Sequence, residues 1–222
     1  MKNIDNKILA DKLYFNNEVK FVDENGDVYK IEVIYDECLE SPRDWDNLCH
    51  ILSMRGDWNI SDEGLSFSRD EAIEKIEELK SREDIAIKPV YMLDHSGQTI
   101  SLKDFGDPWD SGICGFIYVS KEEVFKECMN ITEENWKERA YDVMEGEIEV
   151  YDQYIKGEVY GVRVYKEYSE QHKNMRTGET WYTKELEEID SCWGFYGTEF
   201  DENGLLECAL ENIPDNAKIL EE

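Results

Sequence analysis

The sequence is poor in the residues on which most catalytic centres and secreted scaffolds are built. It has 3 His in 222 residues, and neither an HxxxH nor a CxxC pair. That argues against the usual zinc spacings, so no metal ligand is named. The six cysteines, Cys38, Cys49, Cys114, Cys128, Cys192 and Cys208, stand at wide, irregular intervals. Without a leader-like segment they read as reduced thiols, not as a disulfide framework. Proline is scarce at 4 residues, and no Gly/Ser-rich linker marks a boundary. There is no apolar run of 18 residues and none after Met1–Ala10, so neither a membrane span nor a targeting segment is expected. A GxSxG elbow and a phosphate-cradling glycine loop are also missing. Above all, positive charge is scarce: 24 Lys+Arg face 53 Asp+Glu, a net charge of −29. Phosphate and anionic lipid are repelled by such a chain, so direct binding to nucleic acid or to a membrane is not expected. The charged partners that remain are basic ones.

What is present is the material of a core. Hydrophobic residues make up 41% and aromatics 12%, unlike acidic disordered tails. Glu18–Asp23 and Val28–Tyr35 alternate around Asn25-Gly26, which predicts a hairpin. Residues 36–60 read as a loop or short helices pinned by buried Trp45 and Trp58. Ser68 with Glu71, and Ser120 with Glu123, have the spacing of capping boxes and predict helices over 68–82 and 120–129. A third helix is predicted from Thr132 to about Ile155. Strands are expected at 89–93, 98–102, 113–119, 158–168, 180–189 and 192–195, and 198–212 is ambiguous. The fold class expected is α+β, a mainly antiparallel sheet with two to four helices in a single compact domain. Residues 1–35 would form an N-terminal β-hairpin element and 36–222 the main α+β domain, or the two would run together as one.

Charge is unevenly spread. Residues 1–30 carry a net −1, residues 31–120 carry −12 and residues 121–222 carry −16. The densest block, Glu122–Asp152, has 11 acids against Lys126, Lys137 and Arg139. Six of those acids, Glu134, Glu138, Asp142, Glu145, Glu149 and Asp152, fall within an arc of about 80° on a helix. Trp136, Ala140, Val143, Met144, Ile148, Tyr151, Tyr154 and Ile155 take the other side. Such a ladder resembles the phosphates of a nucleic-acid strand, and these six residues are the candidate partner-binding site. The plain alternative is a solvated helix face.

Other chemistry is less well supported. The two Asp-Glu-Asn-Gly segments, Asp23–Gly26 and Asp201–Gly204, do not fit a calcium loop and read as turns. Asp94-His95-Ser96-Gly97, Asp107–Gly112 and Cys114 permit a nucleophile–base pair of His95 with Ser111 or Cys114. They equally read as turns, the second anchored by a buried Trp109. Asp190–Gly197 reads as aromatic core with tight glycine turns. No catalytic residue and no cofactor is assigned.

Several stretches taken together resemble one family: Ser41–Leu48, Pro89–Gly97, Pro108–Gly112, Gly115–Ser120, Tyr151–Gly161 and Asp190–Gly197. The chain is similar over these segments to small acidic proteins of phages, plasmids and conjugative elements of Gram-positive bacteria. The resemblance implies a setting, the cytoplasm of a bacterial host, and no mechanism. Combined with the charge, it leads to an expected inhibitor of host defence. The expected role is an anti-CRISPR protein that mimics nucleic acid and fills a basic groove of an effector, less so of a restriction enzyme. The alternatives are an enzyme acting on a nucleotide or signalling molecule through Asp94–Cys114, and a structural or assembly protein of the element.

Overall fold

A computed structural model of the chain describes residues 5–54, 60–62 and 68–220. In chain order its elements are α1 (Asn6–Asn16), β1 (Glu18–Val22), β2 (Val28–Tyr35), a 3-10 turn (Pro42–Asp44), β3 (His50–Ser53) and α2 (Arg69–Ser81). They continue with β4 (Ile85–Asp94), β5 (Gln98–Ser101), β6 (Ser111–Ser120), α3 (Lys121–Glu127) and α4 (Trp136–Ile155). The last are β7 (Val159–Lys173), β8 (Thr180–Tyr196), α5 (Leu205–Leu210) and β9 (Lys218–Ile219). The class is α+β, and the paired strands form two antiparallel sheets.

Contacts divide the chain into two compact units, residues 1–39 with 158–222 and residues 40–157. This is not the division at residue 35 expected from local sequence. The hairpin's second strand finds its other neighbour far downstream, Tyr35 opposite Tyr160, and such a pairing leaves no local signature. The hairpin is therefore part of a sheet and not an appended element.

The first unit holds the sheet β8-β7-β2-β1-β9. One face is covered by Leu9 and Leu13 of α1 and by Leu205, Leu206 and Ala209 of α5, which pack with Phe21, Ile31, Val162, Val164 and Phe200. Helix α1, absent from the expected elements, is capped by Asp5, whose carboxylate accepts from the amides of Lys7 and Ile8. The hairpin turn forms as its sequence demands. Gly26 has φ +86°, and Asp23 Oδ1 accepts from the amides of Asn25 and Asp27, each at 2.9 Å. The second such segment is also a turn: Asn203 donates to the carbonyls of Tyr196 and Gly197 and accepts from the Leu205 amide.

The second unit holds the sheet β3-β6-β4-β5, with the two faces covered differently. Ile51, Ala86, Ile117 and Val119 face Trp136, Ala140, Met144 and Ile148 of α4. Leu52 and Phe116 face Ala72 and Ile76 of α2. The expected capping boxes are both present, Ser68 with Glu71 and Ser120 with Glu123. Two aromatic anchors differ from expectation. Trp45 is about half exposed, and Trp109 is 89% exposed, because the surrounding loops close on their own polar groups. Asp107 Oδ1 takes the amides of Trp109 and Asp110 at 2.8 Å, which turns the chain with no need of a buried ring. Trp58 lies outside the described residues.

Candidate functional site

Helix α4 positions the acidic ladder, and its start decides what belongs to it. Thr132 and Asn135 pair with one another before the first turn: Asn135 Oδ1 accepts from the Thr132 amide at 2.7 Å. The helix then runs from Trp136 to Ile155, so Glu134 is exposed but sits in the preceding turn. Along the helix, Trp136, Ala140, Met144, Ile148 and Tyr151 are buried. The opposite side presents Glu138, Asp142, Glu145 and Glu149, all exposed. Their spacings of four, three and four residues put neighbouring carboxylates about 4.5–6 Å apart along the axis. Glu145 meets Lys103 at 3.1 Å on an open surface, a pair of small energetic weight. Glu138, Asp142 and Glu149 have no ion pair among the described residues.

Asp152 leaves the ladder. Its Oδ1 accepts from Thr99 Oγ1 at 2.6 Å and from the amide of Ile100 at 2.7 Å, and Lys156 lies 3.7 Å from Oδ2. Satisfying the edge of β5 is a structural task, and the carboxylate is turned to the fold. The candidate surface therefore contracts to Glu138, Asp142, Glu145 and Glu149, with Glu134 beside it.

The acid that does the most inside the fold is one the sequence reading passed over. Glu147 lies about 180° from the centre of the ladder, in the middle of the apolar face. A carboxylate there requires a cation, and Arg43 supplies it. Arg43 Nη1 meets Glu147 Oε2 at 2.8 Å, its Nε meets Asp62 Oδ1 at 2.9 Å, and Nη2 donates to the Cys49 carbonyl at 2.7 Å. The guanidinium side chain is 6% exposed. Burial opposes its charge, but the hydrogen bonds to Asp62 and Glu147 outweigh burial and hold its pKa above the ordinary arginine value. Glu147 Oε1 also accepts from the amides of Leu48 and Cys49, and Asp62 Oδ2 from that of Ile51. Burial next to Glu147 pushes the Cys49 thiol well above its usual range, so this cysteine is an inert thiol. Ser41 starts the node by capping the 3-10 turn that aims Arg43 inward.

The second candidate region is the corner between β4 and β6. His95 Nδ1 meets Asp110 Oδ2 at 2.7 Å, joining the segments Pro89–Gly97 and Pro108–Gly112. Ser111 Oγ donates to the Asp107 carbonyl at 2.6 Å, and Cys114 is buried with its thiol on the Val90 carbonyl. The imidazole's described bond thus goes to a carboxylate; of the two side chains read as its nucleophile, Cys114 is buried and the half-buried Ser111 spends its hydroxyl proton on a carbonyl. In Asp190–Gly197, Phe195 packs against the core, but Trp193 lies across the backbone of Gly161, where a Cβ would sit 2.2 Å from the ring. Arg163 stacks over that same Trp at 5.4 Å. This is an aromatic cover on an outer sheet face, in place of the core expected there.

Among the described residues no helix is long and apolar enough to cross a membrane. Comparison of the chain with models of known families, with curated proteins and with solved structures finds no match.

Proposed function

We propose that the chain is a stoichiometric blocker of a cationic nucleic-acid groove on a bacterial defence effector, with a CRISPR effector as the first target to test. The observation that supports this is the outer face of α4. It carries four carboxylates in a row, three of them without an ion pair among the described residues, on a helix whose other face is pinned by Arg43–Glu147. The helix fixes the spacing of the row in advance, so only side-chain rotamers remain to be ordered on binding. A net charge of −29 steers encounter with a basic surface. The family resemblance adds the setting, a mobile element inside a bacterial host.

The experiment is binding to a purified effector over a salt series, with the variant Glu138→Lys/Asp142→Lys/Glu145→Lys/Glu149→Lys beside it. Affinity that falls steeply with salt and is lost in the variant supports the blocker. A folded variant that inhibits fully removes α4 from the interface. A second reading, an enzyme acting on a nucleotide or signalling molecule, draws on the His95–Asp110 bond, which leaves Nε2 as the proton-accepting position of a general base. His95→Ala separates the two: it abolishes an enzyme's turnover and leaves a blocker unchanged.

A further inference from the structure

A cavity of about 1080 Å³ opens within the first unit, where β2 runs on past the start of β1. That is the size of a small-molecule site. One wall is the last turn of α1, with Tyr14 and Phe15, and the other is the end of β2 and the residues that follow it. Their rings connect into a single run. Centroids are 5.3 Å apart from Phe15 to Tyr14, 6.3 Å from Tyr14 to Phe200, 5.1 Å from Phe200 to Tyr160 and 5.0 Å from Tyr160 to Tyr35. The middle of the run is buried and its ends are not. Phe200 and Tyr160 belong to the core, whereas Phe15 is 78% exposed, Tyr35 66% and Tyr14 48%. Buried rings thus form a floor, and exposed rings stand on both sides of it. Large rings left side by side in water mark a surface that receives a ligand.

The charges around the cavity indicate the sign of that ligand. Glu32 and Arg163 line it, but each has a partner: Glu32 accepts from Lys30 and Tyr165, and Arg163 lies 3.5 Å from Glu188. Asp36 and Glu37 also line it and make no ion pair among the described residues, Asp36 giving one oxygen to the Cys38 amide. The unpaired charge on the lining is therefore negative. The last turn of α1 carries no basic residue, and the negative end of its helix dipole reaches the same cavity. All of this repels an anion. Ring faces attract a cation, and this unit already uses that attraction: Arg163 lies over Trp193 at 5.4 Å and Lys30 over Tyr165 at 4.6 Å. Tyr14, Phe15 and Tyr35 have no such cation among the described residues.

We propose that this cavity binds an organic cation, an ammonium carrying alkyl groups, with the rings of Tyr14, Phe15 and Tyr35 around it and Asp36 and Glu37 as its counter-charges. The site lies in the first unit and shares no residue with α4, so it stands or falls apart from the function proposed there.

The test is calorimetric titration of the full chain with choline and with neohexyl alcohol, its carbon isostere without the charge. Choline is expected to bind about tenfold tighter, a difference of about 1.4 kcal/mol. Phe15→Leu/Tyr35→Leu keeps apolar bulk and removes ring faces, so choline loses its advantage over the alcohol, whereas Tyr35→Phe retains it. Asp36→Asn/Glu37→Gln, which touches no packed ring, weakens choline several-fold and leaves the alcohol unchanged. Circular dichroism checks that each variant is folded. The proposal is overturned if choline shows no saturable binding at millimolar concentration, or if the alcohol binds as tightly. Choline binding that is unchanged in both the leucine and the amide variants overturns it too.

Discussion

Glu147 and Glu149 are two residues apart on one helix, carry the same side chain and have opposite meanings. Glu149 stands in water on the outer face of α4. Glu147 is aimed inward and holds a buried arginine and two loop amides. The contrast shows that in so acidic a protein the number of carboxylates says little. The angle at which each leaves its helix decides whether it organises the fold or is available to a partner. It follows that the two faces of α4 respond to loss of charge in opposite directions.

The sharpest way to break this comparison is to neutralise each residue in turn. Glu147→Gln removes one of the two carboxylates on Arg43, which keeps Asp62 and the Cys49 carbonyl, so a loss of about 1.5–3 kcal/mol is expected, the range of a charge-assisted hydrogen bond. Denaturant unfolding measures it, and Glu149→Gln measured alongside is expected within about 0.5 kcal/mol of the natural chain. Equal effects at the two sites would remove the distinction between the faces. Asp152 tests its border. Asp152→Ala leaves the Ile100 amide and the Thr99 hydroxyl without their acceptor, a loss of about 1–3 kcal/mol for the amide. A change near zero would return Asp152 to the ladder.

Smaller again is the response of Glu123, a carboxylate between the two extremes. Burial would raise its pKa, but His50 and Ser120 hydrogen-bond the charged form and hold it below the ordinary value of 4.5. A lowered pKa in the fold contributes stability above the unfolded value, and that stability is lost as pH falls through the folded one. Stability measured from about pH 6 down to pH 3 should fall less steeply in Glu123→Gln than in the natural chain. With its side chain 40% exposed, solvent keeps the effect modest.

Much of this was legible in local sequence because local chemistry enforces it. Two capping boxes, an Asn-Gly turn and the apolar stripe of α4 each satisfy backbone groups or cover a face within a few residues. What stayed hidden was set at long range. The partner of β2 lies beyond the whole second unit, and the fate of Asp152 depended on where the edge of β5 would come to rest. Glu147 was detectable in principle, since an acid at the centre of an apolar stripe calls for a buried cation. Its partner Arg43, in the Ser41–Leu48 segment, was not. Trp109 misled for the opposite reason: a polar turn satisfied by Asp107 has no use for an aromatic anchor.

The smallest predicted effect has the opposite sign. Asp142 lies between Glu138 and Glu145–Glu149, and like charges at such spacings destabilise a helix by about 0.2–0.5 kcal/mol per pair. Asp142→Asn relieves the repulsion with both Glu138 and Glu145, so it is expected to raise stability by a few tenths of a kcal/mol, more at low salt than at high. The same substitution removes one contact from the proposed basic groove and weakens binding. Thermal unfolding and binding to an effector, measured on one preparation, would then move in opposite directions. That is the behaviour of a charge kept for a partner against its own fold. If Asp142→Asn leaves both unchanged, the row is a solvated surface and nothing more.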